Sequence, residues 1–542
     1  MQGPAYSRHY VRHVTQVLLQ LLIVTAVALL TRLVLLEAHS LWLDEAISLE
    51  TAARNSPADL WSFLRRWDMH PPLYYQILDI WTTFLGTSLT ALRVPSALAG
   101  TLTVPIYYIA VMQLSRRRTA FVAALLLALA PMQVEIGQEA RMYALLTLWV
   151  CGALVCMVNL LRREAMDSAR GFWLGLAVCL AGASYTHNTG GPFLAVALTL
   201  PVLAWRWMAR RGHAFPQYPA LNARGFTFNW VTALGLAFLM WQPWAPAFGA
   251  QSARIVGEFW IQPLTVETVA WTYLRLTGFN WLDAPVLQLA GFGFLLGLAG
   301  LGVWHLRRSP VIGFLLLGLF LVPPLMASAA EIVKPIWHIR SLNWIHLPLL
   351  MTAAVGICGL KAGPGVRPDP GNAWQRLSYR LKAPLQIAAI LLLCAGQVAA
   401  LAGYYRDGER EGWRDAAALI ASRAGEGEAV LFHANWAQLP FAYHYATVEE
   451  YADVEGAPAI EQIPLPEPVF SGDVAEPKMF RAHLPYMHER LIGQERLFLV
   501  YSHDWYTDPE RLIVRALEVR YRVAADWEFE AIRVIEYVSR DG

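Results

Sequence analysis

Apolar residues in this chain run on in long stretches instead of marking one face of a helix. Many of the runs reach about 18–22 residues, the length that carries a helix across about 30 Å of hydrocarbon. Such segments lie at 14–36, 93–114, 119–135, 141–161, 171–187, 190–208, 230–247, 285–305, 311–329, 341–360 and 384–402. The first is longer than the apolar core of a signal peptide (about 7–15 residues), and no small-residue cleavage site follows it. It is therefore expected to stay as a membrane helix. Basic residues sort by segment: Arg8, Arg12 and His13 precede the first run. Arg116-Arg117-Arg118, Arg162-Arg163, Arg206/Arg210/Arg211, Arg307-Arg308 and a run from Lys361 to Lys382 punctuate the later ones. Lys and Arg in short loops favour the cytoplasm. Threading the segments through these clusters gives eleven spans, a cytoplasmic N-terminus and an outer C-terminal part. The parity requires 72–86, interrupted by Gln76 and Asp79, to lie in the interface or re-enter. If it crosses, another partial segment must cross too, for up to thirteen spans.

Beyond residue 404 the pattern changes. Helical signals at 412–424 and 509–519 alternate with β-like runs at 429–433, 496–502 and 520–538, and 457–468 reads as a linker rich in proline and acids. The alternation predicts one small α/β domain. The expected division is a membrane domain over 1–402, with its first outer loop at 37–92, and an extracytoplasmic domain over 403–542.

Composition fits this fold class, a polytopic α-helical membrane protein with a small C-terminal extracytoplasmic α/β domain. Of the 542 residues 56% are apolar and 15% charged, against about a quarter charged in soluble domains, and the mean hydropathy is +0.37. The net charge of +2 says nothing of partners, because the charge is sorted by side. All five cysteines fall in apolar runs, where they behave as small buried hydrophobes. No Walker loop and no GxGxxG following a strand is present, and nothing calls for a nucleic-acid partner. Any chemistry is expected on the outer face, whose loops (37–92, 248–284, 330–340) are the long ones.

The first outer loop concentrates acids against the membrane. Asp44 and Glu45 follow Leu41-Trp42-Leu43, and Asp68 and His70 lie in Trp67-Asp68-Met69-His70-Pro71-Pro72-Leu73. Asp44 could simply cap a helix starting near Ala46. Apolar neighbours would raise the basicity of a carboxylate there, suiting it to take a proton from an attacking hydroxyl or amine. Asp68 could orient an acceptor or the Asp44 pair, while His70 and the two prolines could be structural, at a helix start. Arg93, Arg141 and the group Lys334, His338 and Arg340 are outer-side cations, against the positive-inside tendency. Arginine suits bidentate phosphate recognition, and fixed cations stabilise the charge that develops on a leaving phosphate. Glu139, two residues from Arg141, would not face it on one helix. Tyr185, His187, Asn188, Asn280 and Asp283 are more readily structural. Trp241, Trp244, Trp260, Trp271 and Trp281 suit an interfacial belt, or stacking on a sugar or polyprenyl chain.

Leu43-Asp44-Glu45, the Trp67–Leu73 stretch, and Leu92-Arg93-Val94-Pro95-Ser96-Ala97-Leu98-Ala99-Gly100 resemble the sequential motifs of the protein O-mannosyltransferase family. Gln138-Glu139-Ala140-Arg141-Met142-Tyr143-Ala144-Leu145 is similar to a stretch of its bacterial relatives, the lipid A aminoarabinose transferases among them. All are GT-C glycosyltransferases. The resemblance covers about residues 15–400, with its specific motifs in the first 150. It implies an inverting transfer of a sugar from a polyprenyl-phosphate donor, with Asp44 as base beside Glu45. It makes Asp68 an acceptor-side acid and sets Arg93 and Arg340 against the donor phosphate. The trefoil domain of the eukaryotic members is missing, and so is the acid the family places soon after the arginine of the fourth motif, where Tyr143 and Ala144 stand. No metal ligand is assigned. A divalent ion stays open, with Glu139 and His70 as acceptor-side or metal-side groups.

The expectation is a multi-pass glycosyltransferase of the bacterial cytoplasmic membrane. It uses a polyprenyl-phosphate sugar, and its acceptor (protein, lipid or glycan) is undetermined. The competing readings are a lipid or solute transporter, which would place ionisable residues at mid-membrane and show repeats, and a non-catalytic assembly subunit.

Overall fold

Long apolar runs can satisfy their backbone in lipid only by coiling into helices, and the computed structural model is dominated by them. It describes residues 4–540 other than 55, 164–168, 214, 223–224, 258–260, 360–372, 455 and 471–477. Trp260 and most of the basic run that begins at Lys361 lie outside the described residues. The chain forms two compact units: one of Met1–Leu36, Met69–Ile77 and Arg93–Asp407, the other of Glu37–Asp68, Leu78–Leu92 and Gly408–Gly542. Loop 37–92, expected with the membrane domain, thus contributes most of its length to the second unit.

In the first unit every apolar segment named above contains a helix. Eight helices among the described residues are long and apolar enough to cross a membrane: Val11–Leu33, Leu89–Leu114, Tyr143–Arg162, Gly190–Arg210, Pro285–Leu306, Pro310–Ala330, Ile339–Cys358 and Leu381–Asp407. Three further apolar helices, Arg117–Leu129, Arg170–Thr186 and Phe226–Trp241, are shorter. The segment 72–86 forms a helix of 13 residues, Leu73–Leu85. That is about 20 Å at the helical rise, short of the hydrocarbon thickness.

Burial is graded across these helices. Ile339–Cys358 is almost wholly enclosed, whereas Val11–Leu33, Pro285–Leu306 and Leu381–Asp407 leave most of their side chains outside the fold. Leu22, Leu30, Leu289 and Leu391 are among the aliphatic side chains so exposed. A surface of that kind needs lipid around it, and the protein is an integral membrane protein. Helices Pro285–Leu306 and His346–Cys358 meet through small residues. A Cβ at Gly302 would collide with the Thr352 carbonyl oxygen, and one at Gly356 with that of Leu298, the close approach by which membrane helices associate.

The second unit is built on a five-stranded sheet of β1 (Ala429–His433), β2 (Glu461–Pro464), β3 (Arg496–Tyr501), β4 (Tyr521–Phe529) and β5 (Ile532–Ser539), in the order β2-β1-β3-β5-β4. β1 runs parallel to β2 and β3, and β5 pairs antiparallel with both β3 and β4. Ala429 and Leu431 enter the core on one face, and Val430 and Phe432 enter the other. Both faces of β1 are therefore covered, which explains its unbroken apolar sequence. The run 520–538 is two strands of a hairpin. β2 arises inside the supposed linker, and helix Gln438–Ala446 was not expected from the sequence.

Candidate active site

In the second unit, helix Leu43–Ala52 starts three residues earlier than expected. Asp44 and Glu45 therefore sit inside its first turn, where carboxylates favour the helix dipole, and Asp44 is not its cap. The residue before the helix, Trp42, is extended and offers no side-chain cap. The cap comes from far along the chain: Oε2 of Glu411 accepts the Leu43 amide hydrogen at 2.9 Å and the Trp413 indole hydrogen at 2.5 Å. The preceding backbone is held in the same way. The Ser40 amide donates to both carboxylate oxygens of Glu409 at 3.0 and 3.1 Å, and the Leu41 amide donates to Nε2 of His444 at 2.9 Å. The Arg410 guanidinium lies 4.5 Å from the centre of the Trp42 ring.

Glu411 is buried, and burial pushes its carboxyl above the usual carboxylate range. The nearby charge of Asp44 adds to the rise, while His503 and the two hydrogen bonds oppose it. Glu45 is fully buried and Asp44 is half-buried. Asp68 ends helix Pro57–Trp67 and is nearly buried.

In the first unit, Arg93 is buried near the start of Leu89–Leu114, and its Nη1 donates to the Leu36 carbonyl at 2.8 Å. Three turns of chain converge beside it. Tyr74 Oη and Ser96 Oγ are 2.9 Å apart, and Ser96 Oγ donates to the Arg141 carbonyl at 3.0 Å. Residues 138–142 are bends and turns, and the helix begins at Tyr143, two residues after Arg141. Glu139 is thereby freed from the geometry of a single helix. Its Oε2 lies 3.6 Å from Nη1 of Arg340, with both side chains largely buried. The Arg340 guanidinium stands 5.2 Å from the centre of the Tyr143 ring.

His187 completes this cluster. Its ring centre is 5.7 Å from that of His70 and 6.0 Å from that of Tyr143. Arg141 and Arg340 are its charged neighbours. Asn188 Nδ2 donates to the Met69 carbonyl and to Gln251 Oε1, both at 2.8 Å. Gln251 Nε2 in turn donates to the His70 carbonyl at 3.2 Å. Arg141, Glu139, Arg340 and His70 thus come together with His187 and its neighbours. Lys334 and His338 are half-buried on the approach to Arg340. Asp283 pairs instead with Arg406 at 2.5 Å. Among the described residues, no three His, Cys, Asp or Glu side chains converge as a metal ligand set.

Sequence reasoning did not find Glu409, Glu411, His444 or Gln251, and it set His187 and Asn188 among the structural residues. The acids of Gly408-Glu409-Arg410-Glu411, directly after the last span, were the available signal.

A family model described as dolichyl-phosphate-mannose-protein mannosyltransferase matches residues 69–221. The fold is similar to that of ArnT from Cupriavidus metallidurans, at a TM-score of 0.59 and 15% identity over 95% of this chain and 97% of that one. The undecaprenyl phosphate-bound form of the same protein gives 0.56, again at 15% identity, with the same coverage. The Archaeoglobus fulgidus oligosaccharyltransferase in complex with Zn and sulfate gives 0.53, also at 15% identity, over 96% of this chain and 73% of that one. At 15% identity these structures show a shared fold, and the family-model match falls on the stretch that carries several of the motifs read from the sequence. Among curated proteins, the chain is 27% identical over 325 residues to the undecaprenyl phosphate-alpha-4-amino-4-deoxy-L-arabinose arabinosyl transferase of Pectobacterium carotovorum subsp. carotovorum (strain PC1). That match takes in 59% of this chain and 55% of the relative, so it spans about half the length of the relative.

Proposed function

We propose that this protein transfers a sugar from a polyprenyl-phosphate donor to an acceptor at the outer face of a bacterial cytoplasmic membrane, with inversion at the anomeric carbon. The N-terminus lies in the cytoplasm and the sheet-bearing unit outside, as the basic clusters between the spans favour. Asp44 takes the proton of the acceptor hydroxyl or amine as its heteroatom bonds to the anomeric carbon. The bond from that carbon to the phosphate oxygen breaks, and the polyprenyl phosphate departs with the electron pair. Arg93, Arg141 and Arg340 face the departing phosphate, Lys334 and His338 add to the cationic approach, and Asp68 and Glu45 support the acceptor side.

The observation that carries this reading is the group of Arg141, Arg340, Glu139 and His187, with Arg141 and Glu139 buried and the other two half-buried. Two arginines meet one carboxylate and an imidazole there, with Arg340 Nη1 3.6 Å from Glu139 Oε2. A site of this kind stabilises an anion whose charge grows in the transition state. The family match over 69–221 includes these motif residues up to His187, and the similar fold includes one protein crystallised with undecaprenyl phosphate.

The test is Asp44→Asn in the full chain reconstituted with a polyprenyl-phosphate sugar, alongside an Asp79→Asn control. Glycans and glycolipids are read by mass spectrometry in cells carrying each variant. Loss of product in Asp44→Asn, with unchanged expression and melting temperature, supports the reading. Wild-type product levels would remove it.

A further inference from the structure

A cavity of about 600 Å³ opens where the far ends of several membrane helices meet. Leu114 closes helix Leu89–Leu114, Cys358 closes His346–Cys358, and Pro310 opens Pro310–Ala330; all three line it. Arg93 and Arg340 stand near the opposite ends of two of these helices. Arg93 and Leu114 are separated along their helix by about 30 Å at the ordinary helical rise. The cavity is therefore distinct from the candidate active site.

Its lining is cationic. Arg116, Arg308 and Lys382 contribute to it, with His213 and His305 beside them, and no described lining residue is acidic. Arg116, Arg308 and Lys382 pair with no carboxylate among the described residues. A second feature points the same way. Val311 and Ile312, in the first turn of Pro310–Ala330, also line the cavity, and their amide hydrogens precede the first intrahelical bond, which Gly313 makes to Ser309. Ser309 supplies no side-chain cap. Open amides at the start of a long helix, surrounded by guanidinium and ammonium groups, form a receptor for an anion. Basic pockets between membrane helices on one face of the bilayer take anionic headgroups.

We propose that this cavity binds a phosphate group, presented by the headgroup of an anionic membrane phospholipid or as free inorganic phosphate. Arg116, Arg308 and Lys382 supply the charge, and the 311–312 amides supply directed hydrogen bonds. On the topology proposed above, this is the cytoplasmic leaflet, but the binding itself does not depend on the sugar-transfer reading.

The experiment uses the full chain in detergent and compares wild type with Arg308→Gln/Lys382→Gln and with the charge-keeping pair Arg308→Lys/Lys382→Arg. Phosphatidylglycerol and phosphatidylcholine are titrated by native mass spectrometry, and inorganic phosphate by thermal shift. Wild type is expected to retain phosphatidylglycerol over phosphatidylcholine. The neutral pair should weaken that binding on the order of tenfold or more, and the charge-keeping pair should hold it near wild type. A phosphate-induced shift that the neutral pair abolishes, with no lipid preference, assigns the site to free phosphate. Binding of neither ligand, or equal binding by wild type and the neutral pair, overturns the proposal, as does equal loss in both double variants.

Discussion

The carboxylate of Glu411 accepts the backbone hydrogen of Leu43 across 368 residues of sequence, at 2.9 Å. The bond fixes where helix Leu43–Ala52 begins and so where Asp44, one residue on, is presented. A side-chain acceptor on an otherwise uncapped helix start contributes about 0.5–2 kcal/mol. Glu411→Ala is expected to destabilise the second unit by about that amount, seen as a lower melting temperature by intrinsic fluorescence. It should also lower transfer, because the carboxylate next to the cap loses its placement. An unchanged melting temperature would contradict the capping role.

The same residue predicts a pH dependence. Burial raises the folded-state pKa of Glu411 above its ordinary 4.5. The stabilisation from its proton is fully present below 4.5 and is lost as pH rises through the raised value. Glu411→Gln mimics the protonated form and should flatten this part of the melting curve. Melting temperatures at pH 4.5, 5.5 and 7.5 for both proteins would show whether the slope disappears.

Arg340 faces Glu139 at 3.6 Å and the ring of Tyr143 at 5.2 Å. Arg340→Ala should lower kcat/KM on the order of a hundredfold, the scale for losing one preorganised charge donor. Arg340→Lys should recover only part, because an ammonium cannot grip two phosphate oxygens in the planar fork of a guanidinium. Steady-state kinetics on both variants, with a fold check by size exclusion, would decide it.

Gly302 and Gly356 seat two membrane helices against each other's backbone. Gly302→Leu forces them apart and should cost about 1–3 kcal/mol or more, as overpacked cores do. A Gly297→Leu control, where a Cβ meets nothing within 4 Å, should melt near wild type.

How much of this was legible follows from the range over which each cause acts. The membrane helices and β1 declare themselves through continuous apolar runs, because solvent on every side is lipid or protein. β2 was hidden, since Glu461–Pro464 is a strand only by pairing with Ala429–Phe432. The caps on Ser40, Leu41 and Leu43 were hidden for the same reason. A single sequence carries no mark that Glu409, Glu411 and His444 meet a segment nearly four hundred positions upstream. Glu139 and Arg141 were read on a helix that starts only after them, so the partner of Glu139 was missed. His187 looked structural because its neighbours in space, His70, Arg141 and Arg340 among them, come from distant parts of the chain.

The clasp on residues 40–43 bears on how such proteins can be recombined. Exchanging the segment after residue 407 alone between two relatives would graft a lock onto a foreign key. A working chimera would need to carry 37–68, 78–92 and 408–542 as one inherited block, and homologous sequences should change in that block together.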